Sequence, residues 1–227
     1  MSDELQQHKN IYIFSGLGAD ERAFQKLDLD PSTIHHIRWI SAFKNESMAD
    51  YAARLLEQIK HDKPILIGLS FGGMIAVEIA KLIAVERVVL LASAKSHDEI
   101  PPYFRWAGKM RLHALLPTKL FKRPSLFLYW LFGTSSTWER KLLREILRDT
   151  DPDFLAWALR QIALWTNKEA PMQVLHIHGT ADRVLPIRFI KSDIQLLHAG
   201  HFMTLNRATE LSALIREYLS TAGQLSG

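Results

Sequence analysis

Four apolar residues, Pro64-Ile65-Leu66-Ile67, run into Gly68-Leu69-Ser70-Phe71-Gly72, and an apolar run with Ile75, Ile79 and Leu82 on one helical face leaves it. Few folds accommodate such a stretch. The pattern predicts a buried strand, a very tight turn and the start of a helix. Glycine at both ends of Gly-x-Ser-x-Gly is what a backbone doubling back without room for a Cβ requires, and it leaves the serine strained at the apex with its hydroxyl projecting above the sheet. The helix that begins behind Ser70 points free backbone N–H groups at whatever the serine oxygen would attack. The bland alternative is a glycine-rich turn whose serine only caps the helix.

The rest of the chain is compatible with one domain, or one domain with an insertion, at 227 residues. The net charge of +4 is too mild to point to nucleic acid. With no cysteine, disulfides and thiol catalysis are excluded. Met1 to Asn10 is polar, without the apolar centre of a signal peptide, and no apolar run reaches membrane-spanning length. A cytoplasmic enzyme without a membrane span is therefore expected.

Read in order, Asn10 to Phe14 is a buried strand ending in Ser15-Gly16-Leu17-Gly18-Ala19-Asp20, a loop that frees backbone N–H groups before a helical stretch through Phe24 and Leu27. Ile34 to Ile40 is a weaker strand, interrupted by His35, His36 and Arg38. Ser47 and Asp50 open a helix carrying Met48, Tyr51, Leu55 and Ile59 on one face. Arg87 to Ala92 is a further buried strand, Gln173 to Gly179 and Asp193 to Leu197 two more, and a last helix shows Leu211, Leu214, Ile215, Tyr218 and Leu219 on one face. Strands alternating with helices at this spacing predict a parallel sheet covered on both faces. The rhythm breaks between Ser93 and Pro171. Five of the six tryptophans lie there, and prolines 101, 102, 117, 124 and 152 divide it into about four short helices.

Parallel sheets place their chemistry at the C-terminal ends of strands. Ser70, Asp182 and His201 each fall just past a strand, in that chain order. With the Gly-x-Ser-x-Gly turn, the Ser15-Gly16-Leu17-Gly18 loop, His178-Gly179-Thr180-Ala181-Asp182 through Pro186, and Gly200-His201-Phe202, the chain resembles the α/β-hydrolase superfamily in its small lidded branch, over nearly its whole length. The resemblance implies an α/β-hydrolase fold of about six parallel strands, a core of 1–93 and 171–227, and an all-helical lid over 94–170. It implies Ser70 as nucleophile, His201 as general base and then acid, and Asp182 as the group orienting the imidazole. The oxyanion would meet the backbone N–H groups of Phe71 and of Leu17, or of Gly16 if the loop is displaced by one. No cofactor or metal is implied. Ser15 departs from the family pattern, which often has His there.

Other residues compete for these roles. His176 and His178 alternate onto one strand face at metal-ligand spacing, against the simpler reading of one buried in the sheet and one abutting a loop. Asp98, past the preceding strand, is the alternative acid. His198 falls three residues before His201, inside a strand end, and Asp193 reads as surface.

The aromatic lid points to an apolar acyl group over Ser70, with Trp106, Phe127 and Trp130 as substrate contacts; the alternative is that its aromatics only hold the lid together. From Tyr103 to Arg148, ten Lys and Arg face two Glu, a local surplus of eight positive charges. Such charges usually form a solvated face; by the resemblance they could also dock an acidic acyl-carrier protein. The function expected is a serine carboxylesterase (or thioesterase or lactonase) acting on a small-molecule ester. The alternatives are a carbon–carbon bond hydrolase or lyase on the same residues, and a slow-turnover ligand receptor.

Overall fold

The computed structural model describes residues 9–109 and 125–221, without the side chains of 107–109. Six strands form one sheet: β1 (Ile11–Phe14), β2 (Ile34–His36), β3 (Ile65–Leu69), β4 (Arg87–Leu91), β5 (Val174–Gly179) and β6 (Ile194–Leu196). Their order is β2-β1-β3-β4-β5-β6 and every pairing is parallel. The order reverses at β1, where the chain runs first to one edge and then to the other, so the C-terminal ends of β1 and β3 open the crevice in which such sheets bind ligands.

The central strands are near-continuous apolar runs because both sheet faces are covered. Successive side chains alternate between two cores. Ile11, Ile13, Ile65, Ile67, Val89 and Ile177 join one, which α8 (Ala208–Ser220) covers through Leu211, Ile215 and Leu219. Tyr12, Phe14, Leu66, Val88 and Leu90 join the other, under α1 (Met48–Leu55) and α2 (Phe71–Ala80). From Phe71 through Ile79 every residue of α2 is buried, which explains why its sequence is apolar on all sides. Ser47 caps α1 as expected, its hydroxyl accepting from the Asp50 N–H at 3.1 Å.

Between β4 and β5 the chain leaves the sheet for α3 (Pro102–Lys109), α4 (Leu126–Phe132), α5 (Thr137–Asp149) and α6 (Pro152–Leu164). Ser136 and Glu139 form a reciprocal capping box at the start of α5, and Asp151 caps α6 with Pro152 in its first turn. Trp157 and Trp165 tie this segment to the core: the Trp157 indole donates to the Glu46 carbonyl at 2.9 Å and the Trp165 indole to Glu78 at 2.7 Å. Leu115, Leu116, Phe121, Pro117 and Pro124, with Arg111, Lys119, Lys122 and Arg123 of the basic surplus, lie outside the described residues. A short α7 (Met203–Asn206) precedes α8. Among the described residues, no helix is long and apolar enough to cross a membrane.

Three local expectations were too long. The helix after β1 is a single 3-10 turn, Glu21–Phe24, capped by Asp20. The second strand stops at His36; only the Ile37 N–H bonds onward to Ile13, and then the Tyr51 hydroxyl takes both the N–H and the carbonyl of Ile40. The helix after Ser70 ends at Ala80, leaving Leu82 exposed.

Candidate active site

Ser70 sits between β3 and α2 with φ 52° and ψ −120°, a conformation that costs a non-glycine residue free energy. Its surroundings over-determine it. A Cβ on Gly68 would stand 2.4 Å from the Gly73 Cα, and one on Gly72 would stand 2.3 Å from the carbonyl oxygens of both Phe14 and Ser15. Those approaches let α2 lie directly against the ends of β1 and β3. The Ser93 hydroxyl, just past β4, donates to the Ser70 carbonyl at 2.6 Å and pins the turn from below.

The turns after β5 and β6 bring Asp182 and His201 to this point. Asp182 Oδ1 accepts the N–H groups of Val184 and Leu185 at 2.8 and 2.9 Å, which fixes the carboxylate before it meets histidine. His201 Nδ1 lies 2.7 Å from Asp182 Oδ2, and His201 Nε2 lies 2.9 Å from Ser70 Oγ. Burial pushes the Asp182 carboxyl up, but His201, His178 and the Leu185 N–H outweigh it and hold the group below its ordinary value. An ionised Asp182 can only accept, so Nδ1 carries the imidazole proton and Nε2 is left as a hydrogen-bond acceptor for the Ser70 hydroxyl. Asp182 and His201 are both 4% exposed, so little water competes for these bonds.

The loop after β1 faces Ser70: a Cβ on Gly16 would stand 3.7 Å from the Ser70 Cβ. The Leu17 and Phe71 backbone N–H groups have no acceptor among the described residues. Ser15, in place of histidine, donates to the Ala19 carbonyl at 2.5 Å and closes the loop on itself. Gly18, at φ +68°, packs so closely on Thr150 that a Cβ there would stand 2.2 Å from Thr150 Oγ1. The Thr150 hydroxyl lies 2.7 Å from the Ile146 carbonyl and 3.1 Å from the Gly18 carbonyl, tying the end of α5 to this loop.

An apolar cavity of about 250 Å³ opens on Ser70 and His201, floored by Leu17, Leu69 and Met74. Its roof is built from residues other than the expected substrate contacts. Phe104, Leu128, Leu131 and Phe132 line it, whereas Trp106, Phe127 and Trp130 are 69, 63 and 54% exposed on the outer side. Helical phase is the reason: Leu128, Leu131 and Phe132 share the inner face of α4 at i, i+3 and i+4, while Phe127 and Trp130 stack on each other outside. Phe132 also meets His201 edge to face at 5.6 Å.

The competing residues are elsewhere. Asp98 is exposed beside His97 and does not approach His201. His198, also exposed, follows β6 at φ 59° with its N–H on the Thr180 hydroxyl. His176 and His178 are fully buried, their Nε2 atoms donating to the Ser93 and Leu185 carbonyls at 3.0 and 2.8 Å. Burial, reinforced by neighbouring positive charge, pushes the His176 imidazole down to about 3, and burial also lowers His178. Sequence reading passed over Ser93 and Thr150. Each is a small polar residue whose contact with the site, Ser93 to Ser70 and Thr150 to Gly18, is remote in the chain.

The family model described as the alpha/beta hydrolase family matches residues 11–214. The chain belongs to that family. The fold of this alpha/beta hydrolase is similar to that of MenH from S. aureus, with a TM-score of 0.71 at 16% identity and 97% of each chain covered. A thermophilic esterase from Thermogutta terrifontis gives a TM-score of 0.69 at 16% identity, covering 94% of this chain and 90% of that one. The enol-lactonase from Burkholderia xenovorans LB400 gives 0.65 at 18%, covering 95% and 94%. No curated protein matches the sequence significantly.

Proposed function

We propose that this alpha/beta hydrolase cleaves carboxylic esters, thioesters or lactones that carry an apolar acyl group, by way of an acyl-enzyme. One observation carries the reading: a hydrogen-bonded line from Asp182 through His201 to Ser70 that ends at an apolar cavity. In this mechanism the Ser70 oxygen attacks the acyl carbon as His201 Nε2 takes its proton, and Asp182 stabilises the imidazolium. The tetrahedral oxyanion is held by the N–H groups of Phe71 and Leu17; loss of one such donor typically raises a barrier by about 3 kcal/mol. His201 then protonates the leaving alcohol or thiol, and water, activated by the same imidazole, releases the acid. Residues 94–170 serve as the lid, with α4 closing the acyl cavity. Esterase and enol-lactonase structures of the same fold support a substrate of this class.

Hydrolysis of p-nitrophenyl esters from acetate to decanoate by wild type and Ser70→Ala tests the proposal. Turnover in wild type that is lost in the variant is expected, with the preferred chain length reporting the cavity. Wild-type rates no higher than those of Ser70→Ala at every length would overturn it and favour carbon–carbon cleavage or a receptor.

A further inference from the structure

On the opposite side of α4 from the Ser70 cavity lies a second concavity of about 540 Å³. Leu126, Tyr129 and Trp130 of α4 form one wall, and the turns after β5 and β6 supply Ala181, His198 and Gly200. Three arginines from three separate elements also line it: Arg140 on α5, Arg183 beyond Asp182, and Arg207 between α7 and α8.

These guanidinium groups are held in place. Arg183 Nη1 donates to the Trp130 carbonyl at 2.7 Å, and its Cζ lies 4.6 Å from the centre of the Trp130 ring. Arg207 Nη2 donates to the Leu197 carbonyl at 2.7 Å, and Arg140 lies 5.6 Å from the centre of the Tyr129 ring. Among the described residues, no Asp or Glu lines the groove. Arg207 has Glu210 at 3.5 Å, but Arg140 and Arg183 meet no carboxylate among the described residues. Glu139, next to Arg140 in sequence, is 4% exposed, with Oε2 accepting the Ser135 and Ser136 N–H groups. Arg144, which reaches the Tyr129 hydroxyl at 3.3 Å, adds a further cation at the margin.

Like charges gathered in one concavity repel one another, and an anion reverses that cost. Guanidinium forks match carboxylate and phosphate oxygens, and the Trp130 and Tyr129 rings offer a surface for an organic body. We propose that this groove is a binding site for a small organic anion, a carboxylate or phosphate ester with an aromatic or apolar portion, separate from the cavity at Ser70. Its size suits a small molecule. It also adjoins the catalytic turn, since the Phe202 N–H donates to the Phe132 carbonyl at 3.2 Å and Gly200 directly precedes His201.

Calorimetric titration of the full-length protein with phenyl phosphate and, separately, with benzoate tests this. Binding of at least one probe, weakening with added salt and reduced about tenfold or more in both Arg183→Gln and Arg140→Gln, is expected. Binding of phenyl phosphate alone assigns a phosphate, and of benzoate alone a carboxylate. Turnover of p-nitrophenyl butyrate stays within about twofold of wild type in Arg140→Gln, because that side chain touches none of Ser70, Asp182 and His201. Arg140→Gln disturbs no backbone contact, so unchanged thermal unfolding confirms that its lost binding is local. No binding of either probe below about 10 mM, or binding indifferent to both substitutions, would overturn the proposal.

Discussion

Ser70 keeps its strained backbone only because its neighbours leave no alternative, and those neighbours are therefore the sensitive positions around it. Ser93 is one: its hydroxyl bonds the Ser70 carbonyl at 2.6 Å. Ser93→Ala is expected to cost about 1 kcal/mol of stability and, on the proposed mechanism, to lower kcat more than it raises KM, because the loss falls on the geometry of the Ser70 oxygen. Steady-state kinetics with urea unfolding of the same variant checks both parts. Gly72 is harsher. A methyl group there would press within 2.3 Å of two backbone carbonyl oxygens that cannot swing aside. Gly72→Ala is expected to lose 3 kcal/mol or more, roughly the upper end of overpacking, and to yield little folded protein in a solubility and circular-dichroism assay. The crowding was legible in the Gly-x-Ser-x-Gly pattern. The part played by Ser93 was not, since its partner is 23 residues away in sequence.

Among the helices, α4 shows how a seven-residue element can serve two sides at once. Leu128, Leu131 and Phe132 face the Ser70 cavity, while Tyr129 and Trp130 line the arginine groove. Leu131→Trp is expected to shorten the preferred acyl chain by filling the cavity, whereas Trp130→Ala leaves that preference where it was. Comparing the two across the p-nitrophenyl ester series decides whether α4 roofs the acyl site. The sequence marked α4 as rich in large apolar residues and placed Phe127 and Trp130 against substrate. It could not supply the phase, because a helix apolar all round has no sequence-visible inner face. Trp157 and Trp165 follow neither expectation, since their indole N–H groups fasten the segment between β4 and β5 to residues of the core. The start of α5 is fixed by the reciprocal capping box of Ser136 and Glu139. Ser136→Ala is expected to cost about 1 kcal/mol in thermal or urea unfolding.

For the whole molecule, the buried histidines set a pH limit. Burial first, then the charges of His178 and Lys95, bring folded His176 to about 3 from an ordinary value of 6.5. Between those values the unfolded chain holds a proton that the folded chain refuses, so stability falls as pH drops below about 6.5. The slope approaches about 1.4 kcal/mol per pH unit for each such histidine, and His178 adds in the same direction. Asp182, lowered when folded, contributes stability above its unfolded value of 3.8 and loses it as pH falls through the lower folded value. Urea midpoints measured from pH 7.5 to pH 4.5 should decline, and less steeply in His176→Asn. The sequence alone determined the parallel α/β architecture, the glycine-shaped turn at Ser70 and the strand-end positions of Asp182 and His201, because each is written in local periodicity or in residues that admit one backbone geometry. Tertiary structure alone decided which face of α4 meets the cavity, that Ser93 and Thr150 brace the site, and that Arg140, Arg183 and Arg207 share one groove. Those facts depend on how elements distant in the chain pack against one another, and no local pattern carries that distance.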